Sequence, residues 1–172
     1  WDHCMRPTIE FETSMKLIVG SHEFELTHTG GHCRDQICVF CPQEGIVFCG
    51  DTIFSNVQIF FAEADPYIQL RALDFIETLD AEVIVPGHGA VCGKRVVAEN
   101  RGFILEWLGA VETGIGKGWT REECMDRVSF ADRCPIDFGL DHVLHSLQRN
   151  NAGKLYDYLT TSGEGRGYDL FP

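Results

Sequence analysis

The sequence predicts a mixed α/β (α+β) chain, and three observations carry that reading. Short β-patterned runs dominate the first half. Longer segments with helical apolar spacing dominate the second. One helix is interposed between two strands, as in folds that lay helices against a sheet. With 172 residues, 44% hydrophobic and 23% charged, the chain has the size and composition of one globular domain with a sizeable core.

The elements follow in order. Residues 15–28, MKLIVGSHEFELTH, read as two strands turning at Gly20-Ser21. QICVFC (36–41) and IVFC (46–49) form a second pair, joined by a Pro42-Gln43-Glu44-Gly45 turn. An irregular stretch is expected from Thr52 to Ala64. The apolar side chains of 53–64 read either as core or as the lining of a hydrophobic pocket for an acyl or thioester group, with core favoured. Asp65 then caps a helix with Pro66 at its first position, and Tyr67, Leu70, Leu73, Ile76 and Leu79 make its apolar stripe. EVIVP (82–86) is a buried-type strand ended by Pro86 and followed by a Gly87-His88-Gly89 loop. A second helix is expected over about 94–112 and a third from Thr120, where Thr120 and Glu123 form a capping box. A fourth covers 139–161, with Leu144, Leu147, Leu155 and Leu159 among its apolar positions. GEGRGYDLFP reads as a loose tail.

Charge and composition exclude several functions. A net charge of -12 repels phosphate backbones and anionic lipid, so neither nucleic acid nor a membrane surface is an expected partner. No apolar run approaches the roughly 20 residues that cross a bilayer. The chain opens Trp1-Asp2-His3-Cys4, without Met or a secretory leader, and reads as a processed chain or a piece of a longer one. The eight cysteines are dispersed, several in apolar strands, which suits a reduced, cytoplasmic protein better than a disulfide framework. Cys38-x-x-Cys41 places its thiols on opposite faces of a strand and is read as packing.

Three polar stations close apolar runs: Gly31-His32, Gly50-Asp51-Thr52 and Gly87-His88-Gly89. In each, a glycine lets the backbone turn so that the next side chain projects from the sheet's edge. Two imidazoles and a carboxylate are donors that zinc, iron and manganese accept. Asp35, Thr52 and His28 are candidates to support them.

HTGGH, VFCGDTIF and IVPGHGAV resemble the later motifs of the metallo-β-lactamase fold hydrolases, over roughly residues 7–95. GKGWTREEC and NNAGKLYDYL are similar to helical segments of one branch of that superfamily. The resemblance implies an αββα sandwich, here its C-terminal half (7–95, strands and metal loops) with added C-terminal helices (96–172). It implies that His32 completes a first metal site, Asp51 bridges two metals as the catalytic carboxylate, and His88 binds the second. The cofactor implied is a pair of Zn2+ ions, with Fe or Mn as alternatives. The reaction implied is hydrolysis of a small-molecule ester, thioester or lactone through a metal-bound hydroxide.

The superfamily's His-x-His-x-Asp-His motif is absent from this sequence; Asp2-His3 is a poor stand-in, and Asp141-His142 belongs to a predicted helix. Three ligands cannot close two sites, so the chain is expected to be a partial domain, inactive by itself. It should expose an apolar sheet face that takes up the missing N-terminal half or a second copy, as a homodimer. Two other readings stand beside this one. One is a Cys/His hydrolase using Cys33 with His32 or His28; the other is a non-catalytic interaction module derived from a metallo-hydrolase.

Overall fold

The computed structural model describes residues 7–161, and Asp2-His3 and the 163–172 tail lie outside them. A hairpin of β1 (Ser14–Val19) and β2 (His22–His28) opens the fold, turning at Gly20-Ser21 as the sequence indicates. β3 (Ile37–Cys41) and β4 (Ile46–Ser55) extend it antiparallel. Helix α1 (Pro66–Thr78) then crosses over to β5 (Val83–Gly89), which lies parallel to β4 at the edge of a five-stranded sheet ordered β1-β2-β3-β4-β5. α2 (Arg95–Gly116), α3 (Arg121–Arg127) and α4 (Leu144–Thr160) follow within the described residues.

Three boundaries differ from the sequence reading. β4 runs on to Ser55, through residues expected to be irregular, with register shifts around Gly50 where the polar Gly-Asp-Thr station interrupts the apolar pattern. Pro86 does not end β5. As the edge strand, β5 needs hydrogen bonds on one side only, so the missing N–H is tolerated and the strand reaches Gly89. The start expected for the fourth helix is instead two single 3-10 turns, Asp137–Gly139 and Asp141–Val143, with His142 exposed.

Helix starts follow their caps. Asp65 accepts from the N–H groups of Tyr67 and Ile68, and Thr120 and Glu123 close a reciprocal capping box. The stripe of α1 is rotated from expectation: Ile68, Gln69, Ala72, Leu73 and Ile76 are buried while Tyr67 is exposed. Pairing with Tyr158, which approaches the Tyr67 ring and donates to Asp65, holds Tyr67 at the surface.

One sheet face is the core. Cys38, Phe40, Val47, Cys49 and Ile84 meet α1 and α2 there, and the same cluster continues through Trp107, Val111 and Leu155. The end of β4 and the run after it belong to it, with Ile53, Val57, Ile59 and Phe61 buried. Each of the seven described cysteines is free. The hydrogen bond with Cys38, together with burial, pushes the Cys49 thiol up, and both side chains are buried in the core.

The opposite face is apolar and open. Strand pairing aligns Met15, Leu26, Val39, Phe48 and Val85 in one cross-strand row. Leu17 and Phe24 pair in the next row, as do Ile46 and Val83. Phe48 is 43% and Leu17 38% exposed. In the hairpin the charged alternates Lys16, Glu23 and Glu25 point the other way and pair with one another. Such alternation is the pattern of a strand that buries its apolar side.

Buried amides tie the helices to the end of β4 and the loop that follows it. Asn100 of α2 donates to the Phe54 carbonyl and accepts from its N–H (2.8 and 2.9 Å). Asn151 of α4 donates to the Ile59 carbonyl and accepts from the Phe61 N–H (2.7 and 3.0 Å). Gln148 donates to Gln58, which in turn donates to the carbonyls of Phe130 and Cys134. Each amide is itself satisfied by hydrogen bonds to backbone or side-chain groups, as buried polar groups require.

Candidate functional site

The three stations converge at the end of β4 and β5. His32 follows Gly30 and Gly31, both at positive φ, and Gly31 lies against Gln69 of α1, where a Cβ would come within 2.8 Å of the Gln69 Cα. A side chain there would push α1 off the sheet. Gln69 also donates to the Thr52 carbonyl at 3.3 Å, so one buried helix residue fixes both the His32 turn and the Asp51 strand. Asp51 sits in the irregular part of β4, between the Gly50–Pro86 and Phe54–His88 pairs. His88 lies near the end of β5, beside it.

The carboxylate of Asp51 stands between the two imidazoles. Its Oδ2 is 3.5 Å from His32 Nε2, and its Oδ1 is 3.6 Å from His88 Nε2. Gly87 makes this approach possible: a Cβ there would overlap Asp51 Oδ1 and come within 2.6 Å of the Gly50 carbonyl carbon. Phe54 backs both rings, stacked on His88 at 5.2 Å and 4° and tilted against His32 at 5.8 Å. Burial holds the His32 imidazole below its ordinary protonation range, against the opposing pull of Asp51. Neutral imidazole is the form that offers a lone pair to a metal.

All three predicted site residues are therefore brought together. Among the described residues, no group of three His, Cys, Asp or Glu side chains is arranged to hold a metal ion. The supporting candidates divide. His28 is outside the cluster, its ring nitrogens 2.8 and 2.7 Å from the carbonyls of Glu12 and Arg34, which leaves it no role as a base for Cys33. Thr52 is fully buried, and its Oγ1 has no partner among the described residues. Asp35 is exposed. The sequence reading missed Asp137, whose Oδ2 accepts from His88 Nδ1 at 3.1 Å and from the Gly89 N–H at 3.2 Å. It lies 49 residues beyond His88 in a loop without periodic pattern, so no local signal marked it.

Residues 7–88 match the model of the metallo-beta-lactamase superfamily. This stretch, just under half of the chain, holds His32, Asp51 and His88. Among curated proteins, the chain is 24% identical over 142 residues to a hydroxyacylglutathione hydrolase from Thermosynechococcus vestitus, covering 83% of this chain and 54% of that one. It is 33% identical over 63 residues to an atrochrysone carboxyl ACP thioesterase from Aspergillus fumigatus, covering 37% and 19%. The chain thus spans at most about half the length of these relatives. Among solved structures, a metallo-beta-lactamase from Pontibacter korlensis matches with a TM-score of 0.54 at 24% identity, over 58% of this chain and 49% of that one. A stereoselective inverting sec-alkylsulfatase from a Pseudomonas species matches 95% of this chain and 28% of its own, with a TM-score of 0.61 at 18% identity. These structures share the fold.

Proposed function

We propose that this chain is the part of a metal-dependent hydrolase that carries His32, Asp51 and His88 as ligands, acting on small acyl thioesters or esters. The observation that carries the reading is the placement of Asp51, each of its two oxygens facing a different imidazole Nε2. A carboxylate so flanked suits two cations, one on each side, with Zn2+ the donor set's natural match and Fe or Mn as alternatives. Bound there, the cations supply Lewis acidity and a nucleophilic water at neutral pH.

The chain's own residues do the rest. Asp51 offsets the cations' charge, burial keeps His32 neutral, and Phe54 closes one side of the site to water. Choice of an acyl thioester is supported by the two relatives, one named a thioesterase and the other a hydroxyacylglutathione hydrolase. Three ligands leave each cation short of a full shell, so further donors come from a partner layer. The open apolar face of the sheet is the surface such a layer would cover, whether a β-rich segment or a second copy supplies it.

Metal analysis of purified protein is the test. Zinc or iron should be retained by the wild type and lost in His32→Ala, Asp51→Ala and His88→Ala. Thiol release from an acyl thioester should appear once a β-rich partner segment is supplied. Absence of both metal and turnover from the longest polypeptide containing this sequence refutes the reading. Turnover abolished by Cys33→Ala but indifferent to chelators would replace it with a cysteine hydrolase.

A further inference from the structure

Asp137 lies outside the 7–88 stretch that matches the superfamily, yet its side chain reaches the site. A carboxylate has no proton to give, so the 3.1 Å contact with His88 Nδ1 requires that nitrogen to carry the N–H. A neutral imidazole has only one N–H, and its lone pair is then on Nε2. That atom faces Asp51 Oδ1 at 3.6 Å. In water an imidazole favours the other tautomer, so the arrangement has to be imposed. Two contacts set the ring's attitude. Phe54, stacked at 4°, fixes its plane, while Asp137 stops rotation within that plane. The Gly89 N–H, donating to the same Oδ2 at 3.2 Å, holds the carboxylate to β5 itself.

The loop carrying Asp137 is anchored from the helical part of the chain. Gln58 donates to the Phe130 and Cys134 carbonyls at 2.8 and 2.7 Å, its N–H reaches the Pro135 carbonyl, and Gln148 of α4 accepts from the Phe130 N–H. We propose that Asp137 is a positioning residue, delivered by this amide-clamped loop, which holds His88 in its Nδ1–H tautomer and so presents Nε2 as a ligand. The ligand half of the statement rests on the function proposed above; the tautomer half does not. Carboxylates that orient ligating histidines in this way strengthen metal binding by fixing tautomer and ring.

The experiment reads the tautomer directly, without metal. Histidine-15N-labelled 172-residue protein, held with chelator at mildly alkaline pH, gives long-range 1H–15N correlations, and His88→Gln assigns the His88 set. The wild type should show the Nδ1–H pattern, Asp137→Ala the Nε2–H pattern, and Asp137→Asn the wild-type pattern, because an amide oxygen still accepts. Zinc titration of the same proteins should give binding on the order of 10–100-fold weaker in Asp137→Ala, with partial recovery in Asp137→Asn. An Nε2–H pattern in the wild type, or an unchanged Nδ1–H pattern in folded Asp137→Ala, overturns the proposal, and equal zinc affinity in the two overturns its functional half. If the tautomer shifts as expected but zinc binds none of the proteins, positioning stands and the ligand reading falls. Should Asp137→Ala fail to fold, Asp137→Asn decides: an Nε2–H pattern there overturns the proposal.

Discussion

Gly87→Ala should be among the most damaging single-methyl additions in this protein. The added Cβ would overlap the Asp51 carboxylate and sit 2.6 and 2.7 Å from the Gly50 carbonyl carbon and the Asp51 nitrogen. Rotation of Asp51 relieves only the first clash. The other two are with the backbone of β4, so the strands must part by about 0.4 Å merely to reach the 3.0 Å limit of real Cβ contacts. Overpacking of this kind costs about 1–3 kcal/mol, and rigid backbone neighbours place Gly87→Ala near the upper end. For a chain of this length, about 3 kcal/mol is a fall of roughly 6–12 °C in Tm. Gly102 is the matched control: it is exposed in α2 and nothing lies within 4 Å of its added Cβ. Gly102→Ala should stabilise by about 0.5–1 kcal/mol through helix propensity alone. Thermal and urea unfolding of both variants, with zinc titration of Gly87→Ala, make the measurement. A Gly87→Ala protein within about 0.5 kcal/mol of wild type would show that β4 and β5 are not held at this spacing, and would refute the close approach of Asp51 to His88.

Other expectations follow from the amides, the open face and the hairpin. Asn151→Ala strands the Phe61 N–H and the Ile59 carbonyl, at about 1–3 kcal/mol for each unpaired group, and urea unfolding with hydrogen exchange at Phe61 checks it. Phe48→Lys should reduce self-association of the purified chain in sedimentation runs while leaving its helical signal intact, because Phe48 lies on the open face and not in the core. Lys16 holds the Glu23 carboxyl below its ordinary range. Glu23 therefore contributes stability above about pH 4.5, lost as pH falls through its lowered folded value, and Lys16→Met should flatten that acid-range slope in a pH series of unfolding curves.

What the sequence revealed was what neighbouring residues dictate. Gly20-Ser21, Asp65-Pro66 and the Thr120–Glu123 box each act within a few positions, and each was readable. The His32, Asp51 and His88 stations were readable for the same reason, since a glycine beside a polar residue at a strand's end is a local signal. The open apolar face was expected from the half of the resemblance that this sequence lacks. Longer-range facts were hidden. Pro86 continues a strand because β5 happens to be an edge, and α1 is rotated because Tyr158 receives Tyr67. Asp137 meets His88 across 49 residues of chain, from a loop that the Gln58 clamp holds.

The Asn100 side chain has a consequence for how this molecule tolerates change. It grips Phe54 at both backbone atoms, and the Phe54 ring touches both imidazoles. The helix bearing Asn100 is therefore a gauge: its axial position sets where one aromatic ring sits, and that ring sets the gap between two histidines. Substitutions along the solvent side of α2 leave the gauge untouched and are free to drift. A slip of the whole helix by a fraction of a turn would miscalibrate both histidines at once, without altering a single atom of either.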